Sequence, residues 1–259
     1  MQINICITIK KANDKGEKMY KNYVFDLYGT LIDIRTNEES NYLWKKLCLF
    51  YAGHGAHYTI KEMKQSYRRH CEDETAQLSQ YDYPEIDITK VFKALFNDKG
   101  VEVSDDVVRT TCEFFRVISC KFLKLYDGVI ELFEELKARG KKIYLLSNAQ
   151  ESFTMPEINS LGIKDYFDGI IISSEEQCKK PSKNFFEKLV EKYGIDFKES
   201  IMIGNDGTSD IEGANNVGMD SLYINTEISP VDENPDDVKA TYIIKDGDFR
   251  KVITILLKK

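Results

Sequence analysis

Short apolar runs recur along this chain. Residues 23–25, 142–146, 169–172, 200–203, 221–224 and 241–244 are each rich in Ile, Val, Leu or Tyr and too short for a helix. That is the pattern of strands buried on both faces of a covered parallel sheet. Helical periodicity fills the gaps between them. Residues 129–139 put Val129, Leu132, Phe133 and Leu136 on one face before Gly140, and residues 184–193 do the same with Phe185, Phe186, Leu189 and Val190 before Gly194. Strand–helix alternation of this kind predicts βαβ units and an α/β fold with a doubly wound parallel sheet.

Residues 34 to about 120 break the rhythm with helical patterns and no convincing strand. Residues 41–51 carry Leu43, Trp44, Leu47 and Phe50; residues 59–70 open with Thr59 and have Glu62 three positions later, a capping-box spacing. Residues 89–96 and 104–118 are also expected to be helical. The predicted organisation is an extension over 1–18, a core built from 19–33 and 121–259, and a helical cap over 34–120. Inserted between the first and second sheet strands, such a cap would lie over the carboxyl ends of the strands, where open α/β sheets bind ligands. Tyr42, Phe50, Tyr51 and Tyr67 are expected in its core, and His54, His57 and His70 as solvated or packing residues. The run Cys71-Glu72-Asp73-Glu74 is expected to be a solvated turn, and residues 228–237, acidic with two prolines, a surface loop.

Composition narrows the function. The hydrophobic share of 42% supports a real core. A net charge of −7 argues against a general nucleic-acid binder while leaving room for a locally positive site that takes a small anion. No apolar run approaches the roughly 18–20 residues a membrane helix needs. Residues 1–9 alternate apolar and polar, with no basic leader and no long apolar stretch, so no secretory leader is expected. Residues 1–18 read either as an extension ahead of a natural start at Met19 or as an added edge strand over 2–9. The cysteines, Cys6, Cys48, Cys71, Cys112, Cys120 and Cys178, form no Cys-x-x-Cys pair. That spacing excludes a structural zinc site and fits reduced thiols in a cytoplasmic protein.

The residues that close the strands carry the chemistry. The first strand runs into Asp26, the second into Ser147-Asn148, and the fourth into Gly204-Asn205-Asp206 with Asp210 beyond; Lys179-Lys180-Pro181 opens the helix after the third, with Lys180 expected to be the inward lysine. In a parallel sheet these endings meet along one edge, which gathers carboxylates, a hydroxyl, an amide and an ammonium into one crevice. A desolvated carboxylate is a competent nucleophile, and a lysine with a serine hydroxyl can hold a substrate anion. Further acidic oxygens suit Mg²⁺. Gly29 lets the chain turn and present backbone N–H groups to an anion.

The order and spacing of these residues resemble the haloacid dehalogenase-like hydrolase superfamily over about residues 20–225. Phe25-Asp26-Leu27-Tyr28-Gly29-Thr30-Leu31 is similar to its first motif, Leu146-Ser147-Asn148 to its second, Lys180-Pro181 to its third, and the run from Gly204 to Ala214 to its fourth. The resemblance implies a Rossmann-like core with a helical cap, and hydrolysis through a covalent intermediate on Asp26. It implies Lys180 and Tyr28 as catalytic partners, with Thr30, Ser147 and Asn148 on the substrate. A Mg²⁺ ion would sit among Asp26, the Leu27 carbonyl, Asp206 and Asp210, with Asn205 as an alternative ligand. The expected partner is a small anionic molecule, with no nucleic acid or membrane, for a monomer or homodimer.

Departures from the pattern leave the reaction open. Phosphatases of this family carry a second aspartate two residues after the nucleophile; here Tyr28 stands there, and a phenol titrates near 10 when unperturbed. Tyrosine at this place resembles the 2-haloacid dehalogenase branch, whose halide leaves without a proton. The fourth motif points the other way, with Asp206 and Asp210, although Asn205 takes the place of the first acidic residue. The tyrosine that the dehalogenase branch has six residues after the lysine is here Phe186. Its substrate-gripping arginine has four candidates, Arg35, Arg68, Arg69 and Arg116. Three readings follow: a Mg²⁺-dependent hydrolase of small phosphorylated metabolites with Tyr28 as atypical acid/base, which the two aspartates favour; a metal-independent 2-haloacid dehalogenase; and a non-catalytic ligand-binding protein.

Overall fold

The run Asn22–Phe25 (β1) is buried at every position and pairs in parallel with Lys142–Ser147 (β4) on one side and Ser200–Gly204 (β6) on the other. Outward from β4 lies Gly169–Ile172 (β5), and outward from β6 lie Asp220–Ile224 (β7) and Tyr242–Ile244 (β8). The computed structural model describes residues 20–257; within them this sheet has six strands in the order β5-β4-β1-β6-β7-β8. The expectations for residues 1–18 and for a start at Met19 lie outside the described residues.

Alternating side chains bury both faces of the sheet. Phe25, Ile143, Leu145, Ile201 and Ile203 face Val129–Ala138 (α5) and Lys251–Leu256 (α10), where Val129, Leu132, Phe133 and Val252 complete one apolar cluster. Val24, Leu146 and Met202 face Lys183–Tyr193 (α8), whose Phe185, Phe186 and Leu189 are fully buried, and Gly213–Asn216 (α9). At roughly 25 cal/mol per Å² of apolar surface, these two layers are the main source of cohesion. Register fixes the site. Phe25 pairs with Leu145 and with Ile203, so Asp26 emerges level with Leu146 and Gly204 at the carboxyl edge.

The insert is helical, as its pattern predicts: Asn41–Gly53 (α1), Ile60–Ala76 (α2), Ile88–Asn97 (α3) and Asp105–Ser119 (α4). Thr59 caps α2 in a reciprocal box with Glu62. Leu43, Leu47, Met63, Phe92, Phe96 and Phe115 form a cluster separate from those of the sheet, joined by Phe153 from Glu151–Ser160 (α6).

Four features depart from expectation. The insert is framed by an antiparallel ribbon of Ile32–Thr36 (β2) and Cys120–Leu125 (β3), whose mixed exposure hides the alternation that marks a strand. Residues 71–74 are not a turn but the last part of α2, where strongly polar residues sit on a helix whose only buried residue is Met63. Tyr42 is 60% exposed rather than in the insert core, because α1 turns it to solvent while Leu43, Leu47 and Tyr51 pack. Helix α6 contains Pro156 and buries residues around its circumference, because it lies between the sheet and the insert; no amphipathic stripe announces it. The short helix Ser173–Glu176 (α7) follows β5. No helix among the described residues is long and apolar enough to cross a membrane.

Candidate active site

Lys180 is the centre of the carboxyl edge. Its side chain is fully enclosed, whereas that of Lys179 is 40% exposed. The ammonium donates to Asp26 Oδ1 at 2.6 Å and to the Leu146 carbonyl at 2.7 Å, and forms an ion pair with Asp210 Oδ1 at 2.7 Å. Two buried carboxylates thus share one ammonium, whose charge offsets part of the cost of burying them. Burial pulls the Lys180 pKa down, but Asp210 and Asp26 outweigh it and hold the group above its ordinary value. Asp210 behaves oppositely. Burial pushes it up to about 7 against the pull of Lys180, and Asp26 adds to the rise. One positive charge cannot neutralise two carboxylates, and the more enclosed of them gains proton affinity.

Each of these groups is placed by backbone. Asp26 follows β1, and its amide donates to Ile203 O at 2.9 Å. Its second oxygen, Oδ2, has Thr30 Oγ1 at 3.3 Å. Asp210 lies on a π-helical turn, Gly207–Glu212, and its Oδ2 accepts from the Asp206 amide at 3.1 Å. Gly204 makes room for it: a Cβ there would collide with the Asp210 carboxylate. Gly29 has φ +86°, and a Cβ would run into the Asn205 amide. Asn205 thereby sits against Thr30, whose hydroxyl donates to its Oδ1 at 3.3 Å, and donates to Ser229 Oγ at 3.5 Å.

Other expected site residues are engaged differently. Asn148 clamps the Lys180 peptide, with Oδ1 accepting from the Lys180 amide at 2.8 Å and Nδ2 donating to its carbonyl at 3.1 Å. Its side chain is spent on placing the lysine. Ser147 Oγ is buried and has no hydrogen-bond partner among the described residues. The Leu27 carbonyl points into the turn, accepting from the amides of Thr30, Leu31 and Ile32 at 3.3, 2.8 and 2.9 Å, so it is not available to a cation. The Tyr28 carbonyl accepts no hydrogen bond among the described residues. Asp206 Oδ1 caps the π-helical turn by accepting from Thr208 and Ser209 amides at 2.9 and 2.8 Å, which leaves Oδ2.

Tyr28 does not offer its hydroxyl to Asp26. It donates to Glu157 Oε2 at 2.5 Å and lies 3.1 Å from Thr154 Oγ1, both on α6. Burial, and then the Glu157 charge, raise its pKa further above the ordinary phenol value. The Tyr28 hydroxyl is thus directed to helix α6, at Glu157 and Thr154, and not to Asp26. The four candidate arginines are all engaged: Arg35 with Asp33, Arg68 with Glu39 at 3.8 Å, Arg69 with Asp98 at 2.7 Å and Arg116 with Glu157 at 2.6 Å.

Sequence reading missed several contributors. Residues 228–237 form a loop, yet Ser229 reaches Asn205, Glu233 Oε2 accepts from the Gly207 amide at 3.0 Å, and the preceding Thr226 donates to Gly29 O at 2.8 Å. The insert reaches the same edge through residues 83–88. The Lys179 amide donates to Tyr83 O at 3.0 Å and the Glu85 amide to Gln177 O at 3.1 Å. Gln150 accepts from the Ile88 amide at 2.8 Å and donates to Glu85 Oε1 at 3.2 Å and Ile86 O at 2.9 Å. None of these residues stands in a motif, so no spacing could have marked them. Among the described residues, no group of three or more His, Cys, Asp or Glu side chains could hold a metal ion.

A family model described as haloacid dehalogenase-like hydrolase matches residues 20–218. A glyceraldehyde 3-phosphate phosphatase of Methanothermobacter thermautotrophicus is 30% identical over 112 residues, 43% of this chain and 50% of that protein. A pyrimidine 5'-nucleotidase of Streptococcus pneumoniae is 27% identical over 135 residues, 52% of this chain and 56% of that protein. The chain thus spans about half the length of the curated relatives it matches. Among solved structures, a 2-haloacid dehalogenase of Pseudomonas syringae superposes with a TM-score of 0.66 at 18% identity, covering 92% of this chain and 98% of the other. At that identity the likeness concerns the fold.

Proposed function

Because the chain belongs to the haloacid dehalogenase-like hydrolases, we propose that it hydrolyses a small phosphorylated metabolite through a covalent intermediate on Asp26. The observation that carries this reading is the Lys180-centred cluster: Asp26 has one oxygen locked on the ammonium and the other held only by a 3.3 Å contact with Thr30. The locked oxygen orients the carboxylate, and the other attacks. The phosphatase and nucleotidase names of the curated relatives support a phosphorylated substrate.

In this scheme Asp26 Oδ2 attacks phosphorus, the bond from phosphorus to the leaving oxygen breaks, and an aspartyl phosphate forms. Water then attacks phosphorus as the bond to Asp26 breaks; its protons stay on the dihydrogen phosphate released, and the leaving oxygen, expelled as an anion in the first step, takes its proton from solvent. Lys180 offsets the charge on the reacting carboxylate, and Ser147 Oγ, buried without a partner, is available to a phosphoryl oxygen. Tyr28, protonated and committed to Glu157, supplies no acid to the leaving group. The favoured substrates are therefore those whose leaving oxygen is weakly basic, such as aryl or acyl phosphates.

The donor set fits Mg²⁺ in chemistry, since it is all oxygen, but only when amide and peptide oxygens join the acids. Asp26, the Tyr28 carbonyl, Asn205 Oδ1 and the free oxygen of Asp206 would hold it. When bound it supplies positive charge to the phosphoryl oxygens.

The test is phosphate release from p-nitrophenyl phosphate with Mg²⁺, with excess chelator, and by Asp26→Asn. Release that stops with chelator and with the substitution is expected; release undiminished in chelator counts against the metal. A second reading, a 2-haloacid dehalogenase, is favoured by the absence of a proton donor at Tyr28. Halide release from 2-chloropropionate without phosphate release would replace the first reading by the second.

A further inference from the structure

Glu157 belongs to no motif, yet it is 93% shielded from solvent and receives two side chains from different parts of the fold (7% exposed). Tyr28, two residues after the nucleophile, donates its hydroxyl to Oε2 at 2.5 Å. Arg116, in the last turn of α4, donates Nε to Oε1 at 2.6 Å and a terminal nitrogen to Oε2 at 3.4 Å. The Arg116 guanidinium also lies 5.3 Å from the Tyr28 ring centre and 5.4 Å from that of Phe153. Thr154, one helical turn before Glu157, holds the Tyr28 hydroxyl from its other side.

The three residues come from three places: the nucleophile turn, the insert, and the core helix that packs on it. Arg116 precedes β3, where the insert returns to the core. Glu157 is therefore neutralised only when α4 lies against α6. Without Arg116 it would be a buried, uncompensated carboxylate, and such a group relaxes toward water by moving. Tyr28 would move with it. The peptide after Asp26 includes Tyr28, and the turn that follows is closed by the Thr30, Leu31 and Ile32 amides on the Leu27 carbonyl.

We propose that Glu157 and Arg116 are positioning residues for the nucleophile turn: docking of the insert fixes Arg116, Arg116 fixes Glu157, and Glu157 fixes Tyr28 and with it the peptide that aims Asp26. Tyr28 is thus the point at which the insert is read by the active site. The kinetic part of this inference rests on the hydrolase reading; the structural part does not.

The experiment uses the full chain as wild type, Arg116→Met, Arg116→Lys, Glu157→Gln and Tyr28→Phe. It measures kcat and KM on p-nitrophenyl phosphate, thermal midpoint, and hydrogen exchange at the Thr30–Ile32 amides. Arg116→Met is expected to lower kcat roughly 10–100-fold, since small misplacement of a reacting group costs about that much, with little change in KM. The same variant loses protection at Thr30–Ile32, and Arg116→Lys restores part of both. Tyr28→Phe, which removes one hydroxyl from an otherwise intact ring, gives the same direction with the smallest loss of midpoint. A lowered midpoint with unchanged kcat and unchanged protection in Arg116→Met and Tyr28→Phe makes the residues a structural staple and overturns the proposal. Should the wild type hydrolyse no phosphate ester, the functional reading falls and exchange alone decides. Protection lost at Thr30–Ile32 then supports the proposal, and protection retained overturns it.

Discussion

Two regions meet at Lys180, and they are built on opposite principles. On the sheet side, Asp26, Leu146, Gly204 and Asp210 are delivered by strand ends, and the polar groups that matter are enclosed. On the insert side, residues 83–88 are tied to Gln177, Lys179 and Gln150 by a mixture of backbone and side-chain bonds. The strand ends of the first region cannot shift without breaking sheet pairing. The second can separate by exchanging a handful of hydrogen bonds for water, each worth about 0.5–1.5 kcal/mol net. Rigidity therefore lies with the sheet, which carries Asp26 at a strand end, while the insert is joined to that edge by exchangeable hydrogen bonds.

The comparison breaks first, if it breaks, at Lys180. Lys180→Met leaves Asp26 and Asp210 buried without a cation and is expected to cost about 3–5 kcal/mol in denaturant unfolding. A loss below about 1 kcal/mol would mean that the cluster is wetter than its enclosure implies. Next is Gly29→Ala, which meets both an unfavourable φ and the Asn205 amide; about 1–3 kcal/mol is expected, with Asn205 displaced from Thr30 in a crystal structure. Unaltered stability and an unmoved Asn205 would show that the turn yields.

The seam is expected to respond more weakly than the Lys180 cluster. Gln150→Ala removes the acceptor of the Ile88 amide and both donations to residues 85–86, at about 1–3 kcal/mol. Faster hydrogen exchange at Ile88, with unchanged exchange in β1, would sharpen the contrast; equal loosening of β1 would erase it. The smallest effect concerns pH. Burial raises Glu85 above its ordinary value of 4.5, offset in part by Lys179, so the folded seam holds this proton more tightly than the unfolded chain does. Its contribution is full below the ordinary carboxylate range and is lost as pH rises through the raised value. Protection of the Glu85 and Ile88 amides, corrected for intrinsic rate, is expected to fall over that window in the wild type and to stay flat in Glu85→Gln. A flat profile in both would remove Glu85 as the titrating group.

The legibility of these regions follows the same division. Short apolar runs located the six sheet strands, since burial on both faces leaves a continuous apolar signature. Asp26 and Lys180 were readable because Asp26 follows such a run and Lys180 stands three residues before the start of α8, and the sheet brings those segments together whatever the loops do. Helix α6 was not readable, because Pro156 and burial on several sides erase periodicity. Its Glu157 and Gln150 just before it were invisible for the same reason.

By itself, the amino-acid sequence determined which residues reach the carboxyl edge: Asp26, Ser147, Asn148, Lys180, Asn205, Asp206 and Asp210 follow from local apolar patterning and strand direction. Tertiary structure alone decided what each of them faces once there. It turned Tyr28 to Glu157, spent Asn148 on the Lys180 peptide and closed the Leu27 carbonyl into a turn. The physical reason is that position along a strand is set by neighbours in the chain, while the partner of a polar side chain is set by whichever distant donor or acceptor shares its burial.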